Sequence, residues 1–259
     1  MSTAVITFSP EGLKVMQRIA AGMQVDQYLH QAIEAPQGVH VFERVFALTE
    51  EIFRRYQALV YVAPCGVAVR AIAPLVNHKL KDPAVICLDV GSRHAVSLLS
   101  GHEGGANQLA INIANLTGAE PVISTTTEAV KTLTIGIGCR KGKSADEICK
   151  AVRAALAMVG RTLEEVRYLA TADVKAWEPG LLQASRELQI PLRILDSEQI
   201  RISSLPFVES EFVQKKVNLP AVAEPAALLA GRRTSLILKK TAFNGITVAI
   251  ARENCSSLA

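Results

Sequence analysis

Short β-branched and apolar runs alternate along this chain with segments of helical periodicity, and that alternation most constrains the fold. In the first half the strand-type runs are 3–9, 38–43, 58–63, 84–90, 94–99 and the shorter 121–124. Between them, 10–22, 47–56, 65–76 and 103–117 carry apolar residues at helical spacing; Ala106, Leu109, Ala110, Ile113 and Ala114 line one face of the last. A second unit is expected from residue 132, with strands at 132–138, 166–171 and 191–195 and helices at 144–159 and 178–188. Two further strands flank Asn244-Gly245, a hairpin signal. Strand–helix alternation predicts an α/β protein of two units, 1–131 and 132–259, with mostly parallel sheets, helices on both faces and a substrate cleft between the units.

Composition narrows the function classes. A chain of 259 residues with 49% apolar and 20% charged residues reads as soluble and globular. The longest apolar stretch, 58–69, contains Pro64 and ends at Arg70, too short to span a bilayer. The N-terminus lacks a basic region followed by an apolar core, so a cytoplasmic protein without membrane association is expected. The five cysteines are scattered and form no C-x-x-C, which argues against disulfides and structural zinc. A net charge of +4 is spread along the chain, and 5% aromatics offer few stacking platforms for bases, so nucleic acid is not an expected partner.

Two glycine-rich segments carry the chemical interest. In "SGHEGGAN" (100–107), His102-Glu103 is not followed by a second histidine at the spacing of a zinc helix, and Gly101, Gly104 and Gly105 miss the G-x-G-x-x-G spacing. Ser100 and Glu103 match a capping box, which predicts a helix start. The cap does not account for His102 among glycines, each about 1 kcal/mol poorer than alanine as a helix former. Weak helix formers at a strand-to-helix turn suggest amides left open to an anion, with His102 placed as acid or base beside it. In "GIGCRKGKSADE" (136–147), the G-x-x-x-x-G-K-S/T phosphate loop would need glycine at Ile137, so the nucleotide reading fails on spacing. Ser144 and Glu147 form a second capping-box pair, and a backbone turn for some anion stays open. "ATADVKAWEPG" (170–180) follows a strand with Asp173, Lys175 and Glu178, which could meet a ligand or cap a helix. In "AEPAALLA" (223–230), Pro225 after Glu224 reads first as a capping arrangement.

Residues 63–128, from "APCGVAVRAIAP" through "LLSGHEGGANQLAINIANLTGAEPVISTTTE", resemble the N-terminal region of the CbiG family of cobalamin-biosynthesis proteins. "IGIGCRKGKSADEI", "LATADVKAWEPGL" and "AEPAALLA…ITVAIARE" resemble that family's C-terminal domain, which also occurs alone in CobE-type proteins. The resemblance implies cobalt-precorrin-5A hydrolysis in the anaerobic route to vitamin B12: opening of the ring A δ-lactone of a cobalt corrinoid and loss of acetaldehyde. The rival class is a non-catalytic corrinoid carrier. Cobalt would arrive chelated in the substrate, so neither a cofactor nor a protein metal site is expected. Transient contacts with neighbouring pathway enzymes and a homodimer are the expected protein partners.

On this reading His102 is the acid/base, with Asn107 as its hydrogen-bonding partner. Gly101, Glu103, Gly104 and Gly105, and the turn from Gly136 and Gly138 to Arg140, would present amides to carboxylates or to the lactone oxyanion. Arg70, Arg93, Arg140 and Lys175 are the carboxylate clamps, and Glu224 completes the set. Two departures from the family pattern stand out. Thr127-Glu128 runs almost directly into "VKTLTIGIG", without the middle segment of longer members, and Glu103 stands where an apolar residue is expected.

Overall fold

Runs such as "TAVIT", "ALVYV" and "AVICL" are apolar at nearly every position, the pattern of strands covered on both faces. The structure, a computed structural model describing residues 1–204, 219 and 221–255, buries all three completely. The chain divides into two compact units, Met1–Thr125 and Thr126–Ala259.

In the first unit the elements run β1 (Thr3–Thr7), α1 (Pro10–Gly22), β2 (Asp26–His30), β3 (His40–Phe42), α2 (Val45–Ile52), β4 (Ala58–Val62) and α3 (Cys65–Ile72). They continue as β5 (Ala84–Leu88), β6 (His94–Leu99), α4 (Ala106–Thr117) and β7 (Glu120–Val122). The sheet order is β3-β2-β1-β4-β5-β6-β7. Every neighbouring pair is parallel except β5–β6. Strand alternation sends Val5, Val60 and Ile86 to the face covered by α1 and α4, through Met16, Ile19, Leu109 and Ile113. Ile6, Leu59 and Val85 face α2 and α3, through Leu48, Ile52, Ala68 and Ile72. Tyr61 is fully buried on that second face. Its hydroxyl pairs with Thr49 Oγ1 at 2.9 Å, and burial pushes its pKa up to about 12.

The second unit runs α5 (Thr126–Ala129), β8 (Leu133–Cys139), α6 (Ala145–Met158), β9 (Val166–Ala172), α7 (Pro179–Leu188) and β10 (Leu192–Leu195). Then follow α8 (Ser197–Ile202), α9 (Ala223–Leu229), β11 (Thr234–Phe243) and β12 (Ile246–Glu253). Its sheet order is β10-β9-β8-β12-β11. The pairs β8–β9 and β9–β10 are parallel, and β12 is antiparallel to both β8 and β11. Helices α6 and α7 cover one face through Ile148, Val152, Leu181 and Ala184. The small residues Ala223, Ala226 and Ala227 bring α9 onto the other. The hairpin turn holds as expected, with Asn244 and Gly245 both at positive φ.

Gly136 and Gly138 lie inside β8, not in a turn beyond it, which corrects the reading of that segment as an anion cradle. Both residues are paired with β12, and Gly136 with β9 as well. Their absent side chains serve packing. A Cβ at Gly136 would fall 1.8 Å from the Ala223 carbonyl oxygen and 2.5 Å from the Ala227 amide nitrogen. One at Gly138 would meet Thr247 Oγ1 at 2.7 Å. Helix α9 therefore lies directly against the backbone of β8.

Gly136→Ala must push a helix backbone away, and overpacking of this kind costs about 1–3 kcal/mol. Urea unfolding followed by circular dichroism should show that loss. Gly66→Ala in α3 meets only the flexible Arg70 guanidinium at 3.2 Å and should leave stability within about 1 kcal/mol. Equal midpoints for the two variants would refute the close approach.

Candidate functional site

The β5–β6 turn decides which residues of the first unit can meet. Asp89 accepts hydrogen bonds from the amides of Gly91 (2.9 Å), Arg93 (2.9 Å) and His94 (2.8 Å), closing a tight reversal. Strand β6 therefore runs back against β5, and Leu99 ends opposite Val85. The segment 100–105 follows the carboxyl end of β6, but it lies at the rim where β1, β4 and β5 begin. Ser100 Oγ donates to the Asp82 carbonyl, two residues before β5, at 3.0 Å. Ligands of parallel sheets gather at the opposite rim. Arg93 sits in the turn at that opposite rim, and Arg70 lies exposed on α3 with its guanidinium on the Gly66 carbonyl (3.1 Å). The clamp candidates Arg70 and Arg93 are thus not brought to the loop that carries His102.

The loop also corrects the capping expectation. Ser100 adopts φ 55°, and its carbonyl accepts from the amides of Gly104 (3.1 Å) and Ala106 (3.2 Å). The helix starts only at Ala106, with Gly105 as its N-cap at φ 82° and no side-chain cap. Ser100 is turned to Asp82, and Glu103 pairs instead with Lys79 at 2.9 Å, so no capping box forms. Hydrogen bonding to Lys79 holds the Glu103 carboxyl below its ordinary pKa.

The loop glycines are required by contact. A Cβ at Gly104 would fall 2.5 Å from Ser100 Cβ, and one at Gly101 would meet Asn107 Oδ1 and Thr125 Cγ2, each at 2.8 Å. Asn107 is buried and bridges two segments. It accepts from Ser97 Oγ (2.8 Å) and donates to Thr125 Oγ1 (2.9 Å). His102 is exposed and carries no hydrogen bond among the described residues.

In the second unit, loops after the parallel strands β8, β9 and β10 share one rim and are stitched together by carboxylates. The buried Glu178, N-cap of α7, accepts from the Gly142 amide at 2.7 Å, joining the β9 loop to the β8 loop. Its other oxygen lies 3.5 Å from Lys175 Nζ. Asp173 accepts from the amide of Ser197 (3.2 Å) and from its hydroxyl, joining the same β9 loop to the start of α8. The Arg140 amide donates to the Gly245 carbonyl at 3.0 Å, and the Arg140 and Lys143 side chains both pass close to Gly245. Arg140 and Lys141 are exposed and form no ion pair among the described residues. Burial pushes the Cys139 thiol up, against the opposing pull of Lys175 and Lys143.

The second capping box does form. Ser144 caps α6 and Glu147 returns the bond, with Lys143 on the other carboxylate oxygen at 2.7 Å. Lys143 and the Ser144 amide hold Glu147 at about pKa 2. Glu224, placed among the substrate contacts by sequence, is buried in α9 with its carboxylate accepting from the Lys240 amide at 2.8 Å. It is not a helix cap. Among the described residues no three His, Cys, Asp or Glu side chains gather as metal ligands would, and no helix is long and apolar enough to cross a membrane.

Sequence reasoning missed Trp177. This sole tryptophan is 79% exposed on the β9 loop, beside the half-exposed Val174. The missed signal was a lone tryptophan, next to Glu178 and two residues after Lys175, in a chain poor in aromatics.

Two outcomes check this geometry. Asn107→Ala strands the Ser97 and Thr125 hydroxyls, and should lower stability by about 1–3 kcal/mol in a denaturant titration. The Glu147 carboxyl titrates lower folded than unfolded, so its stabilising contribution is complete above about pH 4.5 and lost as pH falls through 2. The stability gap between wild type and Glu147→Gln should be flat at neutral pH and close across that acid window; a gap independent of pH down to 2 would refute the pairing.

The chain matches the description "cobalamin synthesis G N-terminal" over residues 47–128 and "cobalamin synthesis G C-terminus" over residues 133–251. Cobalt-precorrin-5A hydrolase of Salmonella typhimurium strain LT2 is 40% identical over 128 residues, which are 49% of this chain and 36% of that protein. This chain therefore aligns with little more than a third of that relative's length. Cobalt-precorrin-5A hydrolase of Priestia megaterium is 22% identical across 96% of this chain and 94% of its own. That alignment runs over 352 positions, more than the 259 residues present here, so the relative carries a stretch without counterpart. Protein CobE of Sinorhizobium sp. is 32% identical over 49% of this chain and 83% of its own. The chain belongs to the cobalamin synthesis G (CbiG) family, with N-terminal-type and C-terminal-type regions following one another directly.

Proposed function

We propose that this protein is a cobalt-precorrin-5A hydrolase, a hydrolase acting on a carbon–carbon bond of a cobalt corrinoid. The observation that carries the reading is the presence of both family regions in one chain, ending at 128 and beginning at 133. The likeness to hydrolases over each region supports it. Water attacks the ring A lactone carbonyl, the lactone opens, and a retro-aldol-like cleavage releases acetaldehyde. The cobalt enters as part of the substrate, and no cofactor or protein-held metal is required.

Such a substrate is a large, flat, polyanionic molecule rimmed by acetate and propionate groups. The β8–β10 rim of the second unit offers what it needs. Arg140 and Lys141 are exposed cations that form no ion pair among the described residues. Lys175 lies on the adjoining β9 loop, where Glu178 already holds it. Arginine suits bidentate pairing with a carboxylate. We assign His102 the proton transfers, because its imidazole is exposed, carries no hydrogen bond among the described residues, and is of the side-chain type most often used as a general acid or base. The amides once expected to receive an anion beside it are partly spent, since that of Gly104 is bonded to Ser100.

With cobalt-precorrin-5A as substrate, the wild-type chain should release acetaldehyde stoichiometrically. His102→Ala and His102→Gln should lower kcat about 10²- to 10⁴-fold, the range of a general acid or base, with substrate binding retained. Full turnover by both variants would remove His102 from the chemistry. Corrinoid binding by the wild type without acetaldehyde would replace the hydrolase with a carrier.

A further inference from the structure

A tryptophan side chain buries more apolar surface than any other, and proteins seldom leave it in water. Here Trp177 is 79% exposed on a backbone that is anything but loose. The residues before it form a short 3₁₀ turn, Asp173–Lys175, and the residue after it is the N-cap of α7. The Glu178 amide donates to the Lys175 carbonyl at 3.1 Å, across the tryptophan. On either side the charged neighbours are turned to one another: Lys175 pairs with Glu178, which is buried and bonded to Gly142. Asp173 is taken up by Ser197. The indole is thus held out from a fixed turn whose acidic groups are already engaged, next to Val174 at 44% exposure.

The charges along the same rim complement this apolar spot. The β8 loop bonded to Glu178 carries Arg140 and Lys141, exposed and without ion pairs among the described residues. A fixed apolar face with free cations alongside suits a flat, hydrophobic molecule whose edge bears carboxylates. It suits a nucleic acid less, since a single aromatic gives one stacking contact and no track for a backbone.

Resting on the hydrolase reading above, we propose that Trp177 is the platform against which one face of the corrinoid macrocycle packs, with Arg140 and Lys141 receiving peripheral carboxylates. Trp177 is then a binding and specificity residue, not a catalytic one.

The test uses the full chain and dicyanocobyrinic acid, a cobalt corrinoid with free carboxylates, as probe. Trp177→Ala should weaken its binding about 10- to 100-fold, and Trp177→Phe by no more than a few-fold, because a ring face is preserved. In turnover, Trp177→Ala should raise KM by a similar factor and leave kcat nearly unchanged. Hydroxyl-radical footprinting, which is insensitive to the colour of the corrinoid, should show Trp177 protected several-fold on binding. Full methyl esterification of the probe should weaken binding to the wild type, and Arg140→Ala/Lys141→Ala should abolish that difference.

Undiminished affinity in Trp177→Ala together with an unprotected indole would overturn the platform while leaving acetaldehyde release, and so the hydrolase reading, intact. A drop in solution mass on Trp177→Ala, with corrinoid affinity unchanged, would assign the ring to contact between copies of the chain and overturn the proposal. A wild type that neither binds the probe nor releases acetaldehyde from substrate would remove the hydrolase reading and this assignment with it.

Discussion

The loops at the β8–β10 rim of the second unit depend on one buried carboxylate. Glu178 caps no helix amide with its side chain; it reaches across to the Gly142 amide, and the ordinary cost of burying a charge is offset by that bond and by Lys175. Without it the β8 and β9 loops would have no bond between them at this point, and Trp177, adjacent in sequence, would lose its fixed seat. The close approach of α7 reinforces the tie: a Cβ on Gly180 would fall 1.9 Å from the Lys143 carbonyl oxygen. Asp173 repeats the device toward α8. Three loops after three parallel strands are thereby set by carboxylate acceptors, while Arg140, Lys141 and the Trp177 indole stay exposed.

The first unit shows how one turn can relocate a motif. The acceptor pattern of Asp89 reverses the chain, and the reversal carries "SGHEGGAN" to the rim opposite the one where parallel strands present their loops. Its glycines then answer to packing against Ser100, Asn107 and Thr125. The same holds for Gly136 and Gly138, which let α9 and Thr247 approach β8. In both segments a glycine that resembles an anion cradle in sequence is a place where two pieces of the protein touch.

Periodicity made much of the fold legible. Fully apolar runs gave the central strands, helical spacing gave α1, α4, α6 and α7, and Asn244-Gly245 gave the hairpin. β2 escaped notice because "DQYLH" opens with two polar residues and buries only two of its five. The capping rule succeeded at Ser144–Glu147, where the serine is the last residue before the helix. It failed at Ser100–Glu103, where a left-handed serine delayed the helix to Ala106. Strand direction was the costly omission, because a tight turn and a crossover look alike in local composition. The sequence singled out Arg140 and Lys175 on the two adjoining loops, but not Trp177, whose exposure depends on tertiary ties made by its neighbours.

Deuterium exchange on the full chain, with and without saturating dicyanocobyrinic acid, addresses most directly the claim that the β8–β10 rim is the corrinoid surface. Amides of residues 140–144 and 173–178 should exchange markedly more slowly in the complex, that of Gly142 already being protected in the free protein by Glu178. Saturated binding with unchanged exchange in both segments would contradict the assignment.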